Sequence, residues 1–136
     1  MKKLRQLFYL SHADAKLTDS DVRHILQVSQ RNNRRQDITG CLLYSGRHFA
    51  QILEGEPAVI DDLFTSITTD QRHSGLVVPI DHHVTTRKFP NWSMGILYKL
   101  DLDVRFEALL AAEYISEEHT VKLFDEINPD TVMGTL

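Results

Sequence analysis

A carboxamide stands where packing alone would place a hydrocarbon. In HFAQILEG (48–55) an extended strand puts Phe49, Gln51 and Leu53 on one face. A carboxamide carries two donor hydrogens and two acceptor lone pairs. Leaving such a group buried without a partner costs about 1–3 kcal/mol. An edge position facing water would also satisfy a strand glutamine, but the flanking Phe49 and Leu53 argue for a partner inside the fold. Tyr9, on a strand face with Leu7 and Ser11, is one candidate. Its phenol either reaches solvent from a half-buried ring or bonds to Gln51 within a shared pocket.

Other polar groups converge on the same region. At about 100° per residue, Asn32 and Asn33 fall on the helix stripe that holds Val22, Ile25 and Ser29, so the inward face turns polar in its last turns. The pair either caps a frayed helix end or aims at the polar edge of a ligand. Arg72 and His73 follow a second helix. They are either a solvated pair favoured by the helix dipole or donors to a carbonyl or phosphate of a bound cofactor. Trp92 and Met94 alternate on the last expected strand and would share one face, as core or as the wall of a pocket whose contents change.

Several chemistries are absent from the pattern. His82 and His83 are adjacent, so they point apart and make no metal site; no metal is expected. There is no Walker loop, GxGxxG, HExxH or nucleophile elbow, and no base can be placed beside a serine. Cys41 is the single cysteine, which rules out an intrachain disulfide and suits a reducing cytoplasm. It reads as a small buried strand residue.

The elements that would position these residues follow from periodicity. The first strand runs Leu4 to Ser11 in alternation. Thr18, with Asp21 three residues on, caps a helix from about Asp19 to Arg34 whose stripe is Val22, Ile25 and Leu26. Strands Ile38 to Ser45 and His48 to Glu54 join at a short turn around Gly46. Both are apolar on both faces, the signature of a strand covered on both sides. Pro57 suits the first turn of a helix carrying Ile60, Leu63, Phe64 and Ile67. A strand near Leu76 to Asp81, a polar connection through Pro90 and a strand from Trp92 to about Tyr98 follow.

The order β-α-β-β-α-β-β, with right-handed crossovers, implies an α+β, ferredoxin-like mixed sheet with two helices on one face. Two C-terminal helices are expected at about Val104 to Tyr114 and Glu117 to Ile127, the second capped by Ser116 and followed by Pro129. Residues 1–98 then form the ligand-binding domain. Residues 99–136 form a helical extension that packs on the other face of the sheet or makes a subunit interface.

Bulk properties set the outer limits. The 136 residues favour one domain, and 42% hydrophobic with 25% charged residues is an ordinary globular balance. Fifteen Lys and Arg against nineteen Asp and Glu give a net charge of -4, which argues against direct nucleic-acid binding. No apolar run approaches the roughly 20 residues of a membrane span. The start, MKKLRQLFYLSHADAK, is broken by Gln6 and Ser11, so no signal peptide is expected and the cytoplasm is the expected location. On these grounds alone the chain is a ferredoxin-like domain with a polar internal pocket.

Taken together, the segments QLFYLS (6–11), VSQRNN (28–33), DITGCLLYSGRHFAQILEG (37–55), TTDQRH (68–73) and RKFPNWSMG (87–95) resemble the BLUF family, the blue-light sensors that use FAD. ITG-x-LLY, F-x-Q-x-LEG, D-x-RH and W-S-M occur in order and at family spacing. The tail is similar to that of short family members only in length and helical character. The resemblance implies that Tyr9 is the photoactive tyrosine and Gln51 the glutamine bridging it to flavin. It implies that Asn33 hydrogen-bonds the isoalloxazine edge, with Asn32 facing the ring carbonyls and Ser29 supporting the glutamine. It implies that Arg72 and His73 contact the cofactor and that Ile25 and Ile67 sandwich the ring. Trp92 and Met94 match the pair whose placement relates to signalling. Cys41 and Ala50 occupy apolar positions that vary in the family.

The expected function is therefore a photoreceptor that signals through a downstream partner and through homo-oligomer contacts, without enzymatic turnover. The rivals are a small ferredoxin-like oxygenase or flavin redox enzyme and a cofactor-free interaction module.

Overall fold

The computed structural model describes residues 3–98 and 117–127. The tail helix expected over 104–114 lies outside them. The chain runs β1 (Leu4–Ala13), α1 (Asp19–Gln36), β2 (Thr39–Tyr44), β3 (His48–Gly55), α2 (Pro57–Thr69), β4 (His73–Val84), β5 (Gly95–Tyr98) and α3 (Glu117–Glu126).

Local chemistry sets the boundaries. The Thr18 hydroxyl accepts the Asp21 amide at 3.1 Å while the Asp21 carboxylate accepts the Thr18 amide at 2.9 Å, a complete capping box. Helix α1 ends where Asp37 turns left-handed at φ 55°. Pro57 opens α2, where its missing amide hydrogen is no loss.

The five strands form one mixed sheet in the order β4-β1-β3-β2-β5, antiparallel throughout except for the parallel β2–β5 pair. The ferredoxin-like order is the expected one. On one face Leu7, Leu42, Tyr44, Phe49 and Leu53 pack against Val22 and Leu26 of α1 and Ile60 of α2. On the other, Phe8, Leu10, Cys41, Leu43, Ala50 and Ile52 form a second core. Helix α3 covers that face, with Leu123 and Ile127 buried and the Phe124 ring 5.7 Å from Phe8.

Gly40 makes the closeness of β2 and β3 possible. A Cβ there would fall 1.8 Å from the Ile52 carbonyl oxygen, and its φ of 157° is one that side chains rarely adopt. Its amide donates to the Trp92 carbonyl at 3.0 Å.

Strand bounds differ from the periodicity in several places, and β1 runs on to Ala13. β4 extends to His73 and Val84, because β1 pairs with it from Leu4↔Val84 to Ala13↔His73. Its ends are polar because it is an edge strand, so they carry no apolar signal. β5 begins only at Gly95. Trp92, Ser93 and Met94 lie in irregular chain, and alternation does not apply to them. Met94 joins the helix-side core and Trp92 the opposite one, so they do not share a face.

Candidate functional site

Pairing register builds the centre of the site. Tyr9 stands directly opposite Gln51 on antiparallel β1 and β3, which sends both side chains to the helix-side face. The Tyr9 hydroxyl donates to Gln51 Oε1 at 2.7 Å. Gln51 Nε2 donates in turn to the Met94 sulfur at 3.4 Å. The buried amide thus has a partner at each end, as its position between Phe49 and Leu53 requires. Burial raises the pKa of Tyr9 well above its ordinary value, and the Asp70 charge adds to the effect. The phenol is therefore held neutral.

A cavity of about 200 Å³ opens between the sheet and the two helices. Helix α1 lines it with Ile25, Ser29, Asn32 and Asn33; α2 supplies Ile67, the turn after it Arg72 and the start of β4 His73; the sheet floor supplies Tyr9 and Gln51. Of the sequence-derived candidates, only Trp92 and Met94 stand outside this lining. Met94 reaches the site through Gln51, whereas Trp92 packs on the far side of the sheet.

Each polar group is fixed by a specific contact. Asn33, 2% exposed, donates its amide to the Ser93 carbonyl at 2.9 Å. Gln30 does the same to the Met94 carbonyl at 2.9 Å, so α1 grips the chain just before β5. His73 Nε2 lies 2.6 Å from the Ile67 carbonyl and Nδ1 2.7 Å from the Ser11 hydroxyl. A carbonyl only accepts, so Nε2 carries the hydrogen. With both nitrogens engaged by protein, His73 offers the cavity its ring, which lies 5.9 Å from that of Tyr9. Arg72 is held by Asp70 through contacts of 2.5–3.1 Å. That pairing keeps the Asp70 carboxyl below its usual range and raises the guanidinium.

Sequence reasoning passed over Asp70, Leu42, Phe49 and Leu63, which also line the cavity. The D-x-R spacing was the available signal for Asp70, since the carboxylate accepts both the amide and the side chain of a residue two positions on. The three apolar residues carry no signal beyond core.

The donor set fits a flat heterocycle with one polar edge. Aliphatic Ile25 and Ile67 come from two helices, carboxamides from α1 and β3 stand at the cavity wall, and Arg72 supplies a cation. Among the described residues no three His, Cys, Asp or Glu side chains are grouped to hold a metal. No helix among the described residues is long and apolar enough to cross a membrane.

Comparison with known proteins gives a consistent answer. The profile of the BLUF family, sensors of blue light using FAD, matches residues 4–95. The blue light- and temperature-regulated antirepressor BluF of Escherichia coli (strain K12) is 31% identical over 108 residues, covering 79% of this chain and 27% of that protein. This chain therefore spans about a quarter of that relative. The dark-state structure of BlrB, a BLUF protein, superposes with a TM-score of 0.76 at 33% identity, covering 92% of this chain and 95% of that one. A bacterial light-regulated adenylyl cyclase superposes at 0.69 with 29% identity, covering 90% of this chain and 36% of the cyclase.

Proposed function

The chain belongs to the BLUF family of blue-light sensors that use FAD, and from that premise we propose that Tyr9 and Gln51 convert light absorption into altered protein contacts. The observation that carries this reading is the continuous chain of contacts from the Tyr9 hydroxyl through Gln51 to the Met94 sulfur.

Ile25 and Ile67 would sandwich the flavin ring, with Asn32, Asn33 and Gln51 at its polar edge. By the family resemblance Ser29 would support Gln51 from α1, and Arg72 and His73 would contact the cofactor. When bound, FAD supplies the blue-light absorption and, once excited, an electron acceptor. Tyr9 begins as a neutral phenol and so can yield both an electron and a proton through Gln51, and it takes both back on recombination, so that no net oxidation remains. Gln51 then settles in its other hydrogen-bonding arrangement, by rotation or tautomerisation, which exchanges donor and acceptor ends. A rotated Gln51 turns its oxygen toward Met94. A thioether has no hydrogen to donate, so two acceptors would meet and Met94 must yield. The displaced Met94, with Trp92 beyond it, then biases the tail helix or a subunit contact.

The protein is read as a sensor and not an enzyme, because the family it matches is one of sensors. The relatives carry an antirepressor or a cyclase name. By analogy this chain would act on a downstream signalling protein; the composition supports the further reading of a cytoplasmic homo-oligomer without direct nucleic-acid or membrane contact. Residues 1–98 would hold the flavin and residues 99–136 would relay its state.

The visible spectrum before and after blue light tests the reading. A flavin spectrum that shifts slightly red and recovers in darkness is expected. An unshifted flavin points to redox chemistry, and a colourless protein to an interaction module. Gln51→Leu should keep the flavin and lose the reversible shift.

A further inference from the structure

Glu54 lies three residues beyond Gln51 on β3 and points to the opposite face of the sheet. It is 0% exposed. Its Oε2 accepts the Gln6 amide at 2.9 Å and the Lys88 backbone N–H at 2.7 Å, and its Oε1 accepts the Phe89 backbone N–H at 2.7 Å. Behind it, His82 Nε2 donates to Gln6 Oε1 at 2.6 Å, so an exposed imidazole on β4 backs the buried pair. Arg87 fastens the same spot, reaching the Thr39 hydroxyl at 2.8 Å and the Glu54 and Asp37 carbonyls at 3.0 and 2.8 Å.

A buried carboxylate is tolerated only when hydrogen-bonded throughout, and packing alone would favour leucine here. What these bonds hold is the segment from Arg87 to Met94. Its far end carries Met94, whose sulfur meets Gln51 on the helix-side face. Its near end carries Phe89, fully buried against Leu123 and Ile127, and Lys88, whose Nζ sits 4.6 Å above the Phe124 ring. One short segment thus touches the Gln51 amide on one face and α3 on the other.

We propose that Glu54 is a positioning residue, whose carboxylate pins residues 87–89 so that displacement of Met94 is passed to α3 instead of being absorbed by a slack loop. The proposal rests on the sensor reading above. Glu54 lies outside the flavin cavity, so its effect separates from flavin binding.

The test uses the full FAD-loaded chain as wild type, Glu54→Gln and Gln6→Met. It follows dark recovery after a blue pulse and backbone amide exchange, in dark and light, at Lys88, Phe89 and α3. A glutamine accepts at one end only, so Glu54→Gln confronts at least one backbone N–H with a second donor. The variant should keep its flavin and its reversible shift. Lys88 and Phe89 should exchange faster, the light–dark difference across α3 should vanish, and dark recovery should quicken roughly tenfold. Wild-type recovery with an intact α3 difference would overturn the proposal, whatever happens to the melting temperature. If Glu54→Gln does not fold, Gln6→Met decides the matter. It keeps the carboxylate and two of its donors, so it must show the same changes at smaller size, and wild-type behaviour overturns the idea. A wild type that binds FAD but never shifts refutes the sensor reading and this proposal with it.

Discussion

Replacing Tyr9 with phenylalanine separates the burial of the phenol from its chemistry. The hydroxyl donates to Gln51 Oε1 at 2.7 Å, and Gln51 is 7% exposed, so Tyr9→Phe leaves a buried acceptor without its donor. That omission should destabilise the FAD-saturated protein by about 1–3 kcal/mol near neutral pH. Alkali should then narrow the difference. Burial raises the folded-state pKa of Tyr9 above the unfolded value, so both states are protonated below pH about 10 and the wild-type advantage is complete there. Above that, the unfolded phenol releases its proton first. The advantage then falls by about 1.4 kcal/mol per pH unit until the folded phenol also ionises. Urea unfolding of both proteins, followed by fluorescence from pH about 7 to about 11, reads the gap directly. Using the difference cancels the other tyrosines. A gap that stays constant across the alkaline range would mean that the phenol ionises at its ordinary value, and the argument from burial would fail. Tyr9→Phe should also abolish the reversible red shift while the flavin remains bound.

Two further substitutions probe the frame. Gly40→Ala should lower stability by more than about 3 kcal/mol, seen as a reduced denaturation midpoint, because the new Cβ meets the Ile52 carbonyl and the backbone is strained as well. Cys41, whose thiol is pushed up to about 12 by burial, should resist alkylation near pH 8 in the folded protein and react promptly in denaturant; rapid labelling of the native state would contradict its burial.

The parts of the fold that could be read from sequence are those encoded locally. Thr18 and Asp21 announce the start of α1, Pro57 that of α2, and the two-faced apolar run of β2 and β3 announces a sheet covered on both sides. The Tyr9–Gln51 pair was legible for a different reason: an amide among apolar neighbours demands a partner. What escaped is non-local. Glu54 looks like the polar end of a strand, and only the return of Lys88 and Phe89 shows that it is buried. Trp92 and Met94 look like alternating strand residues. Their actual placement is set by Gln30, Asn33 and Gly40, which claim the carbonyls of residues 92–94 from across the fold. Irregular chain carries no period, so hydrogen bonds of this kind leave no trace in spacing.

The register irregularities of β4 have a consequence for how copies of this protein can meet. β4 is an outer strand of the sheet, yet its pairing with β1 shifts between Phe8 and Leu10 and again between Leu10 and His12. It also carries Pro79, which has no amide hydrogen, and Asp81, which is tied to Arg5 at 2.8 Å. A straight incoming strand would find missing donors, a twisted rail and a charged side chain already engaged. Growth of the sheet from molecule to molecule is blocked along that rim, so an approach to β4 must be met by side chains and not by an added strand.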